Sequence, residues 1–320
     1  MSVKAAIVGA GAWGTTLAWM FGRDGGEVRI WTSNVDKAKA VNTKHRSPAV
    51  PTLQLPDGVR AVTSLDEALE SRLVVLACQP SWIRILLRKH SGSFRPDHRV
   101  IHAVKGFEAR GRTIAQVVEE ETCVLRTGAL AGPVVPRDLW GGGDTAAVVG
   151  SAYQSVIDEV TEKLVGEHLR VYGTRDRLGV EIAGAMRTPV ALAAGMLGAA
   201  GRRPALAAVM LTRAIAEGAR LAAALGGDGA TMSGLSGIGD WMVTCHDPDD
   251  PLMQAGRRLA LGVPLEYGEA EARVRTLLTL AQERGVDMPI TESVGAVLDG
   301  SSVREALADV MTRESRPETE

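Results

Sequence analysis

Short apolar runs recur through the first half of the chain, separated by stretches with helical spacing. Residues 3–8, 28–31, 73–77, 99–104, 127–131 and 145–149 are such runs. They are nearly continuous in Val, Ile, Leu and Ala, with little polar alternation, as expected of parallel strands covered on both faces. Helical stretches follow at Thr15 and Trp82. Beyond Val171-Tyr172 no strand pattern returns, and Ala, Leu, Gly and Met dominate. Residues 176–197, 204–225, 252–261 and 269–284 read as helices there. The pattern predicts an α/β protein: an N-terminal doubly wound sheet followed by an all-α C-terminal domain. The expected boundaries are 1–172, 173–312 and a polar tail, 313–320. Residues 43–56 form a Pro-containing loop, a candidate cover for a ligand. Pro189 falls inside a helical stretch, where it either disturbs the helix or follows Thr188 as the start of a new one.

The first apolar run leads straight into Gly9-Ala10-Gly11-Ala12-Trp13-Gly14 and then a helix. This GxGxxG between strand and helix predicts dinucleotide binding. The first glycine allows the turn, the second the approach of a pyrophosphate, and the third close helix–strand packing. The helix start offers free N–H groups and partial positive charge to the phosphates. At the end of residues 28–31 stand Thr32-Ser33-Asn34, without the carboxylate that would hold a ribose 2′-hydroxyl or an arginine for a 2′-phosphate. NAD and NADP both stay open.

Composition narrows the remaining classes. The 320-residue chain is long enough for two domains, and its net charge of -2 gives no reason to expect nucleic acid or an anionic membrane as a partner. Cys78, Cys123 and Cys245 form no CxxC or Cys/His group. That pattern predicts no metal site and a reducing, cytoplasmic location. The chain enters its first strand at once, leaving no room for a signal peptide. Small residues in 184–195 suit close helix packing. An apolar stretch such as 191–197 would equally suit a homodimer contact.

Many segments, in order, resemble the bacterial-type NAD(P)-dependent glycerol-3-phosphate dehydrogenases. They include Gly9 to Thr15, Val104-Lys105-Gly106-Phe107-Glu108, Ala131-Gly132-Pro133 and Gly179-Val180-Glu181-Ile182-Ala183-Gly184-Ala185. Others are Leu235-Ser236-Gly237-Ile238-Gly239-Asp240, Val243-Thr244-Cys245 and Met288-Pro289-Ile290-Thr291. The resemblance implies a Rossmann domain for the dinucleotide and a cleft with a helical domain for a small-molecule substrate. It also implies hydride transfer at the substrate's C2. Cofactor contacts carried over are Gly9, Gly11, Ala12, Trp13, Gly14, Ser33, Lys105, Pro136 and Glu269. Catalytic roles fall to Lys105, Arg187 and Asp240. Substrate contacts are Lys105, Gly132, Val134, Arg187, Asp240, Thr244, Met253 and Gln254.

Several positions depart from the family. Arg187 stands where it has a proton-exchanging lysine, and a guanidinium is a poor general base. Leu252-Met253-Gln254 occupy the place of a phosphate-binding Ser-Arg-Asn, and Val134 that of a hydroxyl. Arg257 and Arg258 would compensate if the register shifted. The stretch 262–269 is shorter than in the family. Together these changes predict an oxidoreductase with a changed CH–OH, C=O or C=N substrate. A conventional glycerol-3-phosphate dehydrogenase and a non-catalytic dinucleotide-binding protein are the alternatives. His246 is a candidate substitute proton donor; Cys78 and Cys245 read as apolar filler.

Overall fold

The computed structural model describes residues 3–201, 204–263 and 268–306. The expected tail, 313–320, lies outside the described residues, as does 264–267 within the shortened stretch. The chain divides into two compact units, one of Met1–Val104 with Arg112–Arg177 and the other of Lys105–Gly111 with Leu178–Glu320.

The first unit is built on strands β1 (Ala5–Val8), β2 (Val28–Trp31), β3 (Val59–Val62) and β4 (Leu73–Leu76). Four more follow: β5 (Arg99–His102), β6 (Arg126–Ala131), β7 (Thr145–Gly150) and β8 (Leu169–Thr174). Its helices are α1 (Ala12–Gly22), α2 (Val35–Lys44), α3 (Leu65–Ala68), α4 (Pro80–Lys89), α5 (Ile114–Glu121), α6 (Pro136–Trp140) and α7 (Gln154–Leu164). All eight strands form one sheet in the order β3-β2-β1-β4-β5-β6-β7-β8. Neighbours from β3 through β6 are parallel, β7 runs antiparallel to β6, and β8 is parallel to β7. Alternate strand residues go to opposite faces: Ala5, Ile7 and Val75 pack on one side, and Ala6, Val8 and Leu76 on the other. This explains the unbroken apolar runs.

Strand β3 was not expected from the sequence. It is a short edge strand with Arg60 exposed in its middle, so it lacks the continuous apolar signature of its neighbours.

The second unit contains α8 (Arg177–Ala199, its first residue belonging to the first unit), α9 (Pro204–Leu225), α10 (Asp240–His246), α11 (Pro251–Ala260), α12 (Gly268–Arg284) and α13 (Pro289–Leu298). Helix α8 runs unbroken through Pro189, and Thr188 is buried within it instead of starting a new helix. An internal proline costs about 3 kcal/mol. Here Val190, Ala191 and Leu192 are fully buried around it, and that packing outweighs the backbone penalty. The buried Trp241 of α10 also donates its indole N–H to the Ala183 carbonyl at 2.9 Å.

Small residues on α8 serve close packing inside the unit. A Cβ on Gly195 would sit 2.2 Å from the Met253 carbonyl oxygen, and one on Gly256 would sit 2.2 Å from that of Leu192. Helices α8 and α11 therefore touch backbone to backbone. The helix is apolar and long enough to cross a membrane, but most of it is buried within the protein.

Candidate active site

In the first unit the parallel register brings Gly9, Ala77 and Ala103, the residues just after β1, β4 and β5, to one rim of the sheet. Gly9 has φ +120°, and a Cβ there would meet the Ala77 carbonyl oxygen at 2.7 Å. A Cβ on Gly14 would meet the Gly9 carbonyl oxygen at 1.8 Å, so neither position admits a side chain. Gly11 differs, because its missing Cβ would face open space. It is also the N-cap of α1 and places no side chain over the helix's first amides. A turn held shut by two glycines, beside an open and uncapped helix start, fits a dinucleotide pyrophosphate.

Trp13 is anchored by its indole N–H to the Ala103 carbonyl at 3.0 Å, and Ala12 opens the helix. Beyond β2, the Thr32 hydroxyl accepts the Asn34 N–H, and the Asn34 side chain caps α2 at the Lys37 N–H. Ser33 is exposed. Gly132 has φ +109° after β6, Val134 packs partly buried against the core, and Pro136 is the first residue of α6. These positions also belong to the first unit.

The chemistry-bearing cluster lies in the second unit. Lys105 opens the short segment Lys105–Gly111, which is tied down by Phe107 in the helical core. Its ammonium bonds both oxygens of Asp240, each at 2.7 Å. Asp240 is the first residue of α10 and is almost fully buried, and its carboxylate serves Lys105 instead of capping the helix. Arg187 of α8 donates its Nε–H to the Thr244 hydroxyl at 2.9 Å, and that hydroxyl donates to the Asp240 backbone carbonyl at 2.9 Å. A terminal guanidinium nitrogen of Arg187 binds Asp250, while its Nε stands 3.9 Å from Asp240. Burial lowers the Lys105 pKa, Asp240 raises it, and the Arg187 charge lowers it again.

Thus Lys105, Arg187, Asp240 and Thr244, expected at the site, come together. Met253 and Gln254 do not join them. Met253 is buried, with its carbonyl against Gly195. The Gln254 amide donates to the Pro248 carbonyl. Helix α11 starts at Pro251, which turns both side chains to structural tasks. Arg257 and Arg258 lie in its last turn. The exposed His246 ring bonds the Met242 carbonyl on its own helix at 2.7 Å. Burial pushes the Cys78 thiol up to about 11 and that of Cys245 to about 12, so both stay protonated.

Two members of the cluster were missed from sequence. Asp250 caps α11 through one oxygen, accepting the Leu252 and Met253 N–H groups, and holds Arg187 with the other. The Asp-Pro pair does announce a helix start, but nothing local announces the second contact. Arg273 of α12 packs along Gly106, with its Nε 3.4 Å from where a Cβ would sit. It forms a long ion pair, 3.3 Å, with Glu269. Burial pulls its pKa below the usual arginine value, Glu269 opposes this, and the nearby Arg187 charge adds to it.

Sheet, glycine turn and charged cluster define an NAD(P)-dependent dehydrogenase. Residues 4–157 match the NAD-dependent glycerol-3-phosphate dehydrogenase N-terminus, and 176–308 match the C-terminus of that family. The chain belongs to this family. It is 34% identical to a glycerol-3-phosphate dehydrogenase [NAD(P)+] of Nitratidesulfovibrio vulgaris, covering 99% of this chain and 100% of the relative. It is 36% identical to one from Parafrankia, covering 98% of each chain. The crystal structure of the Coxiella burnetii glycerol-3-phosphate dehydrogenase superposes with a TM-score of 0.90 at 25% identity, covering 97% of this chain and 98% of that one.

Proposed function

We propose that the protein interconverts glycerol 3-phosphate and dihydroxyacetone phosphate with NAD(P). The observation that carries this reading is the Lys105–Asp240 pair, joined to Thr244 and Arg187 in a chain similar over its full length to enzymes of that name. The bound dinucleotide supplies or accepts a hydride at the substrate's C2. The glycine turn at Gly9, Gly11 and Gly14, with Ala12 and Trp13, holds its pyrophosphate end. Ser33 lies where a ribose would be read, with Pro136 and Glu269 as further contacts. Lys105 polarises the C2 oxygen, Asp240 orients Lys105, and Thr244 holds Arg187, whose charge acts on Lys105. Arg273 is the cation best able to meet the substrate's anionic group, because its contact with Glu269 is long. The ordinary charge balance and three free cysteines support a cytoplasmic enzyme.

One observation favours a second reading, a divergent member with a changed substrate. Asp250 places a carboxylate on Arg187, and a carboxylate repels a phosphate dianion. An unphosphorylated 2-oxo acid or imine would meet less of that repulsion. The test is NADH and NADPH oxidation by the purified enzyme with dihydroxyacetone phosphate, beside a panel of 2-oxo acids and imines. Turnover with an ordinary Michaelis constant for dihydroxyacetone phosphate supports the first reading. Silence there with turnover on the panel selects the second. Tight cofactor binding with no turnover on any compound would overturn both.

A further inference from the structure

Asp240 is shared by two cations of unequal freedom. Its two oxygens take two of the three N–H donors of Lys105, leaving the third for another acceptor. Arg187 is pinned at two points, by Thr244 through Nε and by Asp250 through a terminal nitrogen. The Thr244 hydroxyl spends its own hydrogen on the Asp240 carbonyl, so toward Arg187 it acts as an acceptor. A guanidinium keeps its proton at any pH the fold tolerates. The other protic side chains nearby are poorly suited: the Cys245 thiol is held protonated, and the His246 ring is engaged on its own helix.

We propose that Lys105 is the proton donor and acceptor of the reaction, with Arg187 as a positioning residue. The inference rests on the dehydrogenase reading above. In reduction, hydride adds to the carbonyl carbon and the C=O π pair moves onto oxygen. That oxygen takes a proton from the Lys105 ammonium, and the neutral amine regains one from water. NAD(P)H, one proton and the ketone thereby give NAD(P)+ and the alcohol, and oxidation runs the same steps backward. The charged groups acting on Lys105 come from three elements: Asp240 of α10, Arg187 of α8 and Asp250 at the start of α11; Arg273 of α12 lies along the neighbouring Gly106. Burial and the Arg187 charge make its proton easier to release, while the Asp240 contact retains it until substrate arrives.

The test compares wild type, Lys105→Arg, Lys105→Met and Arg187→Gln in carbonyl reduction from pH 6 to 10, with NAD(P)H affinity measured by fluorescence. Lys105→Arg keeps the charge and the carboxylate partner but cannot release a proton. It is expected to lose about 10²–10⁴-fold in kcat, as Lys105→Met does, and to lose the alkaline limb of the profile. Arg187→Gln is expected to keep that limb and move it to higher pH. Retention of kcat within about threefold by Lys105→Arg overturns the proposal, and so does an alkaline limb unmoved in Arg187→Gln. A wild type that binds cofactor but reduces no carbonyl overturns the dehydrogenase reading itself, a result distinct from either.

Discussion

Glu217 of α9 seals the start of a different helix by accepting both the Thr291 N–H at 3.2 Å and the Thr291 hydroxyl at 3.0 Å. It takes the Ile290 N–H as well, so a fully buried carboxyl serves as the cap that α13 lacks in its own sequence. Desolvation lifts its pKa to about 7, against the opposing pull of these hydrogen bonds and of Arg220. Below the unfolded value of 4.5 both states hold the proton, and between there and about 7 only the folded state does. The carboxyl's contribution to stability is therefore complete at low pH and is lost as pH rises through about 7. Urea unfolding at pH 5 and pH 8.5 should show wild type losing on the order of 2–3 kcal/mol more than Glu217→Gln. Parallel pH dependences in the two proteins would rule this out.

The glycine turn separates folding from binding. Gly11→Ala points a methyl into open space and should leave thermal stability within about 0.5 kcal/mol of wild type. It should nevertheless weaken NAD(P)H binding at least about tenfold, since the methyl occupies the phosphate's approach. Gly14→Ala drives a methyl into the Gly9 carbonyl and should lose about 1–3 kcal/mol of stability. Melting curves and cofactor titration on the two variants read the contrast directly.

Asp250 carries two duties that substitution can divide. Asn is as good a helix cap as Asp, so Asp250→Asn should lose only the Arg187 ion pair, whereas Asp250→Ala should also lose the cap, about 1 kcal/mol further. A double-mutant cycle of Asp250→Asn with Arg187→Gln should return a coupling of about 1–3 kcal/mol. A coupling near zero would show that the contact holds nothing in place.

Arg273 should act on substrate and not on cofactor. Arg273→Ala is expected to raise KM for the anionic substrate by about 10–100-fold, the worth of one or two charge-assisted hydrogen bonds. The NAD(P)H dissociation constant should stay within about twofold of wild type. The reverse pattern would move Arg273 to the dinucleotide.

The sheet was legible because buried parallel strands write themselves as unbroken apolar runs, and β2 and α9 fall at the residues expected. The edge strand β3 carries Arg60 and gave no such signal. Lys105, Arg187, Asp240 and Thr244 could be named because their motifs are local. Asp250 and Arg273 could not, because their significance lies in partners far along the chain: Arg187 sits 63 residues before Asp250. Likewise the strand-then-loop reading around Lys105 was sound, yet that short segment folds with the helices beyond residue 177.

The contact of Gly195 with Gly256 has a mechanical consequence. Arg187 lies eight residues before Gly195 on α8, about 12 Å along its axis, and Asp250 caps the helix that carries Gly256. The two glycines form a fulcrum for the pair of rods that present these side chains. A single methyl at the fulcrum would be levered into a wider parting of guanidinium and carboxylate. The precision of the charged cluster is thus set by two residues with no side chain, each more than one helical turn along its helix from the charge it aligns.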